Sequence, residues 1–136
     1  MASIFTKIIL GEIPCYKVAE NDNYFAFLDI RPLVKGHTLV IPKKEIDYIF
    51  DMEDRALAEM FSFTKRVAMV LKEEVECTRI GISVIGLEVP HAHVHLIPIQ
   101  SVNDMNFSSE RLQISEKDYA ELSKRLQSAF KKKFDL

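Results

Sequence analysis

The chain has 136 residues, of which 48% are hydrophobic and 28% are charged. This length and this balance exclude a disordered protein and predict one globular domain over residues 1–136. The 18 Lys and Arg residues against 20 Asp and Glu residues give a net charge of −2, which does not provide the strong positive field of a nucleic-acid-binding protein. We therefore expect no nucleic-acid partner.

The sequence contains no segment that predicts export or membrane insertion. Its first residues have no basic stretch followed by an apolar run of signal-peptide length, and no apolar run reaches the roughly 18 residues of a membrane helix. Cys15 and Cys77 lie far apart, in no spacing typical of a metal or redox site. We expect a cytoplasmic protein in a reducing compartment, with no membrane partner.

The N-terminal part of the chain predicts a short helix, a hairpin and one further strand. Ser3 is expected to cap a helix over residues 4–10. Two strand-like runs, residues 15–20 and residues 24–29, flank a turn rich in Asn and Asp and predict a hairpin. The apolar run Thr38–Pro42 predicts the third strand.

The rest of the chain predicts a long helix, two strands and a C-terminal helix. Apolar residues at spacings of three and four predict a helix over residues 52–76, with Asp51 as its N-cap. Residues 79–85 and residues 91–99 are rich in β-forming residues, and a capping-box pattern predicts a last helix over about residues 115–134. Short connections favour antiparallel pairing, so the predicted fold class is α+β.

Three of the four histidines of the chain, His91, His93 and His95, fall within five residues. Side chains alternate between the two faces of a regular strand, so the three imidazoles would share one face. The small apolar residues that alternate with the histidines would point to the other face, toward a core. The sequence therefore predicts a row of imidazoles on one strand.

The spacing of this row discriminates between two chemistries. Successive histidines would lie about 6.6 Å apart and the outer two about 13 Å apart, whereas ligand atoms must lie about 2 Å from one metal ion. A metal site would need further ligands from elsewhere in the chain. Nucleophilic catalysis fits the row better, because a central neutral imidazole can attack phosphorus while its neighbours donate hydrogen bonds. Metal binding and a purely structural role stay open as alternatives.

The segment from His91 to Ile97 reads His-Ala-His-Val-His-Leu-Ile and resembles the His-x-His-x-His-x-x motif of the histidine triad (HIT) family of nucleotide hydrolases and transferases. Three further blocks resemble the same family in order and at similar spacing: residues 4–14, residues 25–32 and residues 36–43. The resemblance covers about residues 3–99. Within the family, the chain is similar to the purine nucleoside phosphoramidase branch and to bacterial HIT proteins.

The resemblance implies both a fold and an activity. The fold would be HIT-like, with an antiparallel sheet of about five strands, one long helix packed on it, and short N-terminal and longer C-terminal helices. The activity would be cleavage at the α-phosphorus of purine nucleotide conjugates. His93 would be the nucleophile, and water would hydrolyse the nucleotidyl-His93 intermediate to release a nucleoside monophosphate. His95 and His91 would orient His93 and contact the phosphate or the leaving group.

A nucleotide pocket is also implied by the resemblance. Asp29 would bind the ribose hydroxyls, because a carboxylate can accept two hydrogen bonds. Backbone amides near Glu88 and Val89 would hold the phosphate, and Ser83 would replace an amide side chain of the relatives. Five residues match the apolar walls around the base and would otherwise be assigned simply to the core: Ile4, Phe5, Ile8, Phe27 and Ile30.

Two departures from the family pattern modify these expectations. Many relatives bind a structural zinc through Cys-x-x-Cys and a later histidine, where this chain has Ser3, Thr6 and Glu45. These are weaker or harder oxygen donors, so we predict no structural zinc and no other cofactor. The loop before the triad is shorter than in relatives and carries Leu87 and Glu88; a carboxylate near a phosphate would repel it.

The resemblance also implies a symmetric homodimer in which the long helix packs across the two-fold axis. One apolar stripe of this helix is expected to face the partner: Met60, Phe63 and Val67. The neighbouring stripe is expected to face the sheet: Phe61, Thr64 and Ala68. The alternative is that both stripes belong to one wide core face. Two other functions stay open, namely a nucleotide-binding module with little catalysis, because of the altered loop, and a metal-dependent hydrolase that uses the three histidines.

Overall fold

A computed structural model describes residues 2–134 of the chain. These residues form three α-helices: α1 (Ile4–Ile9), α2 (Asp54–Glu74) and α3 (Glu116–Phe134). They also form five strands: β1 (Lys17–Glu20), β2 (Tyr24–Leu28), β3 (Thr38–Pro42), β4 (Arg79–Ser83) and β5 (Val94–Ile99). Two short 3₁₀ turns, Ile49–Asp51 and Val102–Met105, precede α2 and follow β5. Within this part of the chain, no helix is long and apolar enough to cross a membrane.

The five strands form one sheet in the order β1-β2-β3-β5-β4. Every neighbouring pair is antiparallel, so the predicted α+β class and the five-stranded antiparallel sheet are confirmed. β5 lies between β3 and β4 rather than at an edge, because α2 carries the chain from β3 to the far edge before β5 returns to the middle. His95, the last histidine of the triad, therefore lies on a strand in the interior of the sheet.

The two faces of the sheet have different partners. The face covered by α2 and α3 holds the larger core, in which the apolar residues that alternate with the histidines are buried as predicted: Ala92, Val94 and Leu96. The opposite face carries a smaller apolar cluster that includes Phe5 of α1. Since α1 is short and covers only part of that face, the sheet keeps room there for a site.

The first helix begins and ends as its capping residues indicate. Ser3 Oγ accepts a hydrogen bond from the Thr6 N–H at 3.0 Å, which confirms Ser3 as the N-cap. α1 ends at Ile9, and Gly11 follows with φ of 79°, a conformation that favours glycine. At the start of α3, Ser115 Oγ accepts a hydrogen bond from the Asp118 N–H at 3.1 Å.

The prediction of a strand over residues 91–99 is wrong at its start, since β5 begins at Val94. The His91 N–H donates to Val89 O at 2.8 Å and the Ala92 N–H donates to Ile46 O at 2.7 Å. These bonds hold the segment in a turn against the loop after β3, so His91 is not part of the sheet ladder. β4 likewise ends at Ser83 rather than at residue 85.

The predicted orientation of the long helix is wrong for the stripe assigned to a partner and for Phe61. α2 begins at Asp54, with Glu53 rather than Asp51 as its N-cap residue. Met60 and Phe63 are buried in the core of the chain itself, and so is Val67. The stripe expected to face a partner therefore faces the core of the chain, together with the buried Thr64 and the half-buried Ala68, whereas Phe61 is 37% exposed.

Candidate active site

Four strands contribute one row of side chains to the open face of the sheet. Phe27 pairs with Leu39, Leu39 pairs with His95, and His95 pairs with Ser83. Directly paired residues of antiparallel strands point to the same face. The strand register therefore brings Phe27, His95 and Ser83, three of the predicted site residues, onto the face that carries α1.

The three histidines of the triad are all buried, but they do not form an even row. The rings of His93 and His95 lie edge to face with centroids 5.0 Å apart. His93 directly precedes β5, so His95 is the one histidine of the triad that lies on the strand itself. His91 is fully buried. The Phe5 ring packs against the rings of His91 and His93, with centroid distances of 5.8 Å and 5.1 Å.

The ring of His93 is held so that one nitrogen stays free. Its Nδ1 lies 2.8 Å from His91 O, and a carbonyl oxygen can only accept, so Nδ1 carries the proton. In the neutral ring Nε2 then carries the lone pair. His93 is 7% exposed, which leaves a small opening to this side chain. The geometry suits a nucleophilic nitrogen whose partner carbonyl stabilises positive charge on the ring.

A chain of hydrogen bonds fixes the proton of His95. The Leu33 N–H donates to His37 Nδ1 at 3.0 Å, so the proton of neutral His37 is on Nε2. That Nε2–H donates to His95 Nδ1 at 2.9 Å. The proton of neutral His95 is consequently on its own Nε2, which is free to donate to a ligand. His95 is thus an oriented hydrogen-bond donor beside the free nitrogen of His93.

Burial keeps His37 and His95, the two rings of this hydrogen-bond relay, neutral. It lowers the pKa of His37 to about 3 and the pKa of His95 to about 4, and in both cases the nearby histidine and the positive charge of Arg111 act in the same direction. Burial also lowers the pKa of His91. Near neutral pH each of these rings therefore carries one proton, as their hydrogen bonds require.

Asp29 lies beside the relay and retains one available oxygen. Its Oδ1 accepts the Arg31 N–H at 2.8 Å, whereas its Oδ2 lies 3.6 Å from His37 Nε2. Burial raises the pKa of this carboxyl, and the backbone hydrogen bond and nearby cations oppose the rise. α3 supports the same residue, because the Tyr119 hydroxyl donates to Asp29 O at 2.7 Å.

Asp29, His37 and His95 are close enough to invite comparison with a metal centre, since their ligand atoms lie within 4.8 Å of one another. A neutral imidazole that binds a metal through Nε2 must carry its proton on Nδ1. The Leu33 N–H, however, points at His37 Nδ1, so a proton there would face another donor. The donor set is arranged for a hydrogen-bond relay and does not fit a metal ion.

An apolar cluster lies next to the histidines. Phe5 and Phe27 pack edge to face with centroids 5.5 Å apart, and Ile8 and Val89 pack against the same cluster. Two other predicted wall residues, Ile4 and Ile30, are 49% and 70% exposed. Core residues would be buried, so neither Ile4 nor Ile30 belongs to the core of the chain.

The loop before the triad stands away from the buried rings. Glu88 is exposed and Leu87 is 88% exposed, whereas Val89 is half-buried. Gly86 adopts a φ of 73° at the turn. Of the three predicted phosphate-side residues, the structure brings Ser83 and Val89 to the site face and leaves the side chain of Glu88 in an exposed loop.

Sequence patterns did not assign two further residues to the site, Phe107 and Arg111. The Phe107 ring lies 4.8 Å from that of His95 and 6.3 Å from that of His37. Arg111 donates to Arg31 O at 2.8 Å and to Phe107 O at 3.3 Å. Both residues lie in an irregular segment between β5 and α3. Such a segment has no periodicity from which a role could be predicted.

The residues at the family's zinc position form a hydrogen-bonded cluster around His91. Ser3 Oγ lies 2.7 Å from His91 Nδ1, and His91 Nε2–H donates to Pro42 O at 2.8 Å. Glu45 Oε1 accepts the Ser3 N–H at 2.5 Å and the Thr6 hydroxyl at 2.7 Å. Two hydroxyls and a carboxylate that already bond one another do not fit zinc, which prefers sulfur and nitrogen ligands at tetrahedral positions.

Several known proteins are similar to this chain in sequence. An uncharacterized HIT-like protein of Borreliella burgdorferi is 37% identical over 128 residues, which cover 88% of this chain and 92% of that protein. Adenosine 5'-monophosphoramidase hnt1 of Schizosaccharomyces pombe is 37% identical over 99 residues, which cover 72% of this chain and 74% of that protein.

Among solved structures, a Zn-bound histidine triad family protein from Mycobacterium smegmatis has a TM-score of 0.81 and 26% sequence identity, and the similarity covers 99% of this chain and 97% of that one. The family model described as HIT domain matches residues 10–102. Because that match includes every strand of the sheet and all four histidines, the chain belongs to the histidine triad (HIT) family.

Proposed function

We propose that this protein is a nucleotide hydrolase or transferase that cleaves purine nucleotide conjugates at the α-phosphorus through a nucleotidyl-His93 intermediate. The observation that carries the proposal is the pairing of a free Nε2 lone pair on His93 with an oriented Nε2–H donor on His95, whose ring is 5.0 Å away. Similarity to a protein named adenosine 5'-monophosphoramidase supports phosphoramidate substrates.

The first step forms a bond from His93 Nε2 to phosphorus while the bond from phosphorus to the leaving group breaks. The leaving group departs with the electron pair of that bond and takes a proton from solvent. Positive charge develops on the His93 ring, where Nδ1–H already donates to His91 O. His95 Nε2–H donates to a phosphate oxygen and stabilises its negative charge.

The second step returns the enzyme to its starting state. Water attacks phosphorus, the P–N bond breaks, and its electron pair returns to His93 Nε2. The proton lost by water passes to solvent, and the nucleoside monophosphate is released. The ribose hydroxyls would donate to Asp29 Oδ2, and the base would lie against Phe5, Ile8 and Phe27 with Ile4 and Ile30 at its edges.

The decisive experiment compares wild type with His93→Ala on an adenosine phosphoramidate. We expect turnover by wild type, loss of turnover in His93→Ala, and a mass increase of one nucleotidyl group on wild type after a rapid denaturing quench at alkaline pH, which preserves the P–N bond. Lys124→Ala, on the exposed side of α3, is the control and should behave as wild type. Equal turnover by wild type and His93→Ala would overturn the mechanism.

A second candidate is a nucleotide-binding module with little catalysis, which the exposed carboxylate of Glu88 in the shortened loop favours. Calorimetry that detects purine nucleotide binding, together with no turnover on phosphoramidates and dinucleotides, would support this alternative. A metal-dependent hydrolase that uses His91, His93 and His95 is disfavoured, because both ring nitrogens of His91 are hydrogen-bonded within the protein. Full activity in a chelator would exclude that third function.

We also infer that the protein is a homodimer in which β4 and the surface beside α2 form the interface. β4 is an edge strand, with Ile82 50% exposed. Next to it lies a cleft of about 380 Å³ whose lining includes Tyr48, Phe50, Phe61 and Ile85. An edge strand beside an aromatic patch is suited to pairing with a second copy. Light scattering should give twice the chain mass for wild type and a monomer for Phe61→Glu.

A further inference from the structure

The hydrogen-bonded cluster of Ser3, Thr6, Glu45 and His91 connects the nucleophile to a charged side chain that the reaction itself does not use. Ser3 and His91 are 88 positions apart in the chain, so only the fold brings them together. A related protein of known structure is described as Zn-bound, and the cluster occupies the position where the family resemblance locates a structural zinc. The donors of this chain do not fit that ion.

The directions of the hydrogen bonds within the cluster follow from its acceptors. Pro42 O and the Glu45 carboxylate can only accept, so His91 carries its proton on Nε2 and Thr6 donates its hydroxyl proton to Glu45 Oε1. His91 Nδ1 is then an acceptor, and Ser3 Oγ–H donates to it. Ser3 Oγ in turn accepts the Thr6 N–H. The cluster uses each donor once.

We propose that Glu45 is a positioning residue for the nucleophile His93, and that the cluster it organises performs by hydrogen bonds the role that a structural zinc performs in relatives. The carboxylate holds Ser3, Ser3 fixes the ring of His91, and the carbonyl of His91 accepts the Nδ1–H of His93. The proposal rests on the proposed function, because it assumes that His93 is the nucleophile.

The charge of Glu45 is maintained by the same contacts. Hydrogen bonds from the Ser3 N–H and from the Thr6 hydroxyl lower the pKa of Glu45 to about 2. Hydrogen bonds to an ionised acceptor are stronger than those to a neutral one. A permanent carboxylate therefore holds α1 against the loop after β3, and it does so without a metal.

The cluster has two separable effects because Ser3 bonds through both its backbone and its side chain. Ser3→Ala removes the hydroxyl that bonds His91 and keeps the backbone N–H that bonds Glu45. Glu45→Ala removes the carboxylate, and thereby loosens α1, whose Phe5 packs on His91 and His93. Ser3→Ala also removes the oxygen that caps α1 at the Thr6 N–H, but the backbone bond from Ser3 to Glu45 still holds the helix. Loss of the side chain should therefore disturb mainly the nucleophile, whereas loss of the carboxylate should also disturb the apolar wall.

Steady-state kinetics on an adenosine phosphoramidate test this separation, below the melting temperature of every variant. Ser3→Ala should lower kcat by about tenfold and leave KM within about twofold of wild type. Glu45→Ala should lower kcat on the order of tenfold and raise KM as well. Glu12→Ala is the matched control, since the Glu12 carboxylate is exposed and has no hydrogen-bond partner among residues 2–134; it should match wild type.

Nitrogen NMR of the imidazole rings gives a readout that does not require turnover. In Ser3→Ala, the His91 Nδ1 signal should shift because its donor is lost, and the Nδ1–H signal of His93 should shift with it. A merely structural role would lower stability without moving the His93 signal. If wild type shows no turnover, the proposed function fails, while these signals still decide whether Glu45 and Ser3 position His93.

Restoration of a metal is the complementary test. Ser3→Cys, Thr6→Cys and Glu45→His together should bind one zinc ion per chain with His91, and should recover kcat relative to Glu45→Ala until a chelator is added. Unchanged kcat and ring signals in both Ser3→Ala and Glu45→Ala would overturn the proposal. So would stoichiometric zinc in wild type that is lost in Glu45→Ala, or absence of zinc binding by the folded triple variant.

Discussion

Two hydrogen-bond networks hold the histidines of this site, and they differ in chemistry and in how directly they reach the reacting atoms. At His95, the network runs from the Leu33 amide through His37 to the ring, and every group in it is neutral. At His91, the network ends in the ionised carboxylate of Glu45. One network fixes the proton of a ring that would touch the phosphate, whereas the other fixes the ring behind the nucleophile.

The three histidines of the triad are therefore not equivalent. His95 presents an N–H and His93 presents a lone pair, while both nitrogens of the fully buried His91 are engaged within the protein. His91 therefore acts through its carbonyl oxygen and its ring contacts. Breaking the two networks separately should have effects of different size and of different pH dependence.

The largest effect is expected from His37→Phe. The change removes the only donor to His95 Nδ1 found in residues 2–134, so the proton of His95 is no longer held on Nε2 and the phosphate loses an oriented donor. We expect kcat to fall by about a hundredfold, as for loss of a preorganised donor. Steady-state kinetics with Ser3→Ala as the matched comparison checks this. A smaller loss in His37→Phe than in Ser3→Ala would reverse the ranking of the two networks.

Much of this arrangement could be predicted from the sequence, because it depends on local pattern. The His-x-His-x-His spacing and the alternation of apolar residues predicted the strand and its two faces, and the cap at Ser3 predicted where α1 begins. The networks could not be predicted in this way. His37 and His95 are 58 positions apart, so their contact is set by the register of β3 against β5 and not by any local motif.

The orientation of α2 shows a second physical limit. Adjacent residues on a helix point about 100° apart, and the stripes that contain Met60 and Phe61 are both apolar. Periodicity predicts that one of them is buried but does not decide which. The prediction assigned the stripe that contains Met60 to a partner, whereas this stripe is buried within the chain itself. Only packing against the sheet distinguishes the buried Met60 from the exposed Phe61.

The pH dependence of stability should differ between the two networks. The pKa values of His37 and His95 are lowered to about 3 and about 4, so between about pH 6.5 and pH 4 the unfolded chain binds more protons than the folded chain, and stability falls as the pH falls. The pKa of Glu45 is lowered to about 2 in the folded chain. Below about pH 4.5 the unfolded chain therefore binds a proton at Glu45 before the folded chain does, and this causes a further loss of stability.

Urea unfolding at about pH 7, about pH 5 and about pH 3 gives the free energy of unfolding on either side of each of these two pH ranges. His37→Phe should reduce the loss of stability between the first two conditions, because one histidine with a lowered pKa is removed. Glu45→Gln should leave that loss unchanged and reduce the loss between the last two. The same pH profile in both variants would contradict the assignment of the two pH ranges to the two networks.

The smallest expected effect comes from Arg111→Gln, and it concerns only the neutral network. The guanidinium charge lowers the pKa of both His37 and His95, although it is partly exposed and therefore screened. Glutamine can still donate to a backbone carbonyl, so the change removes mainly the charge. An NMR titration should show the pKa of the His95 ring rising by a fraction of a pH unit, with no change in Arg55→Gln on the exposed side of α2. The His91 ring should not respond, because the charges that act on it are those of Glu45 and His93; an equal shift at His91 and His95 would mean that the two networks share one electrostatic environment.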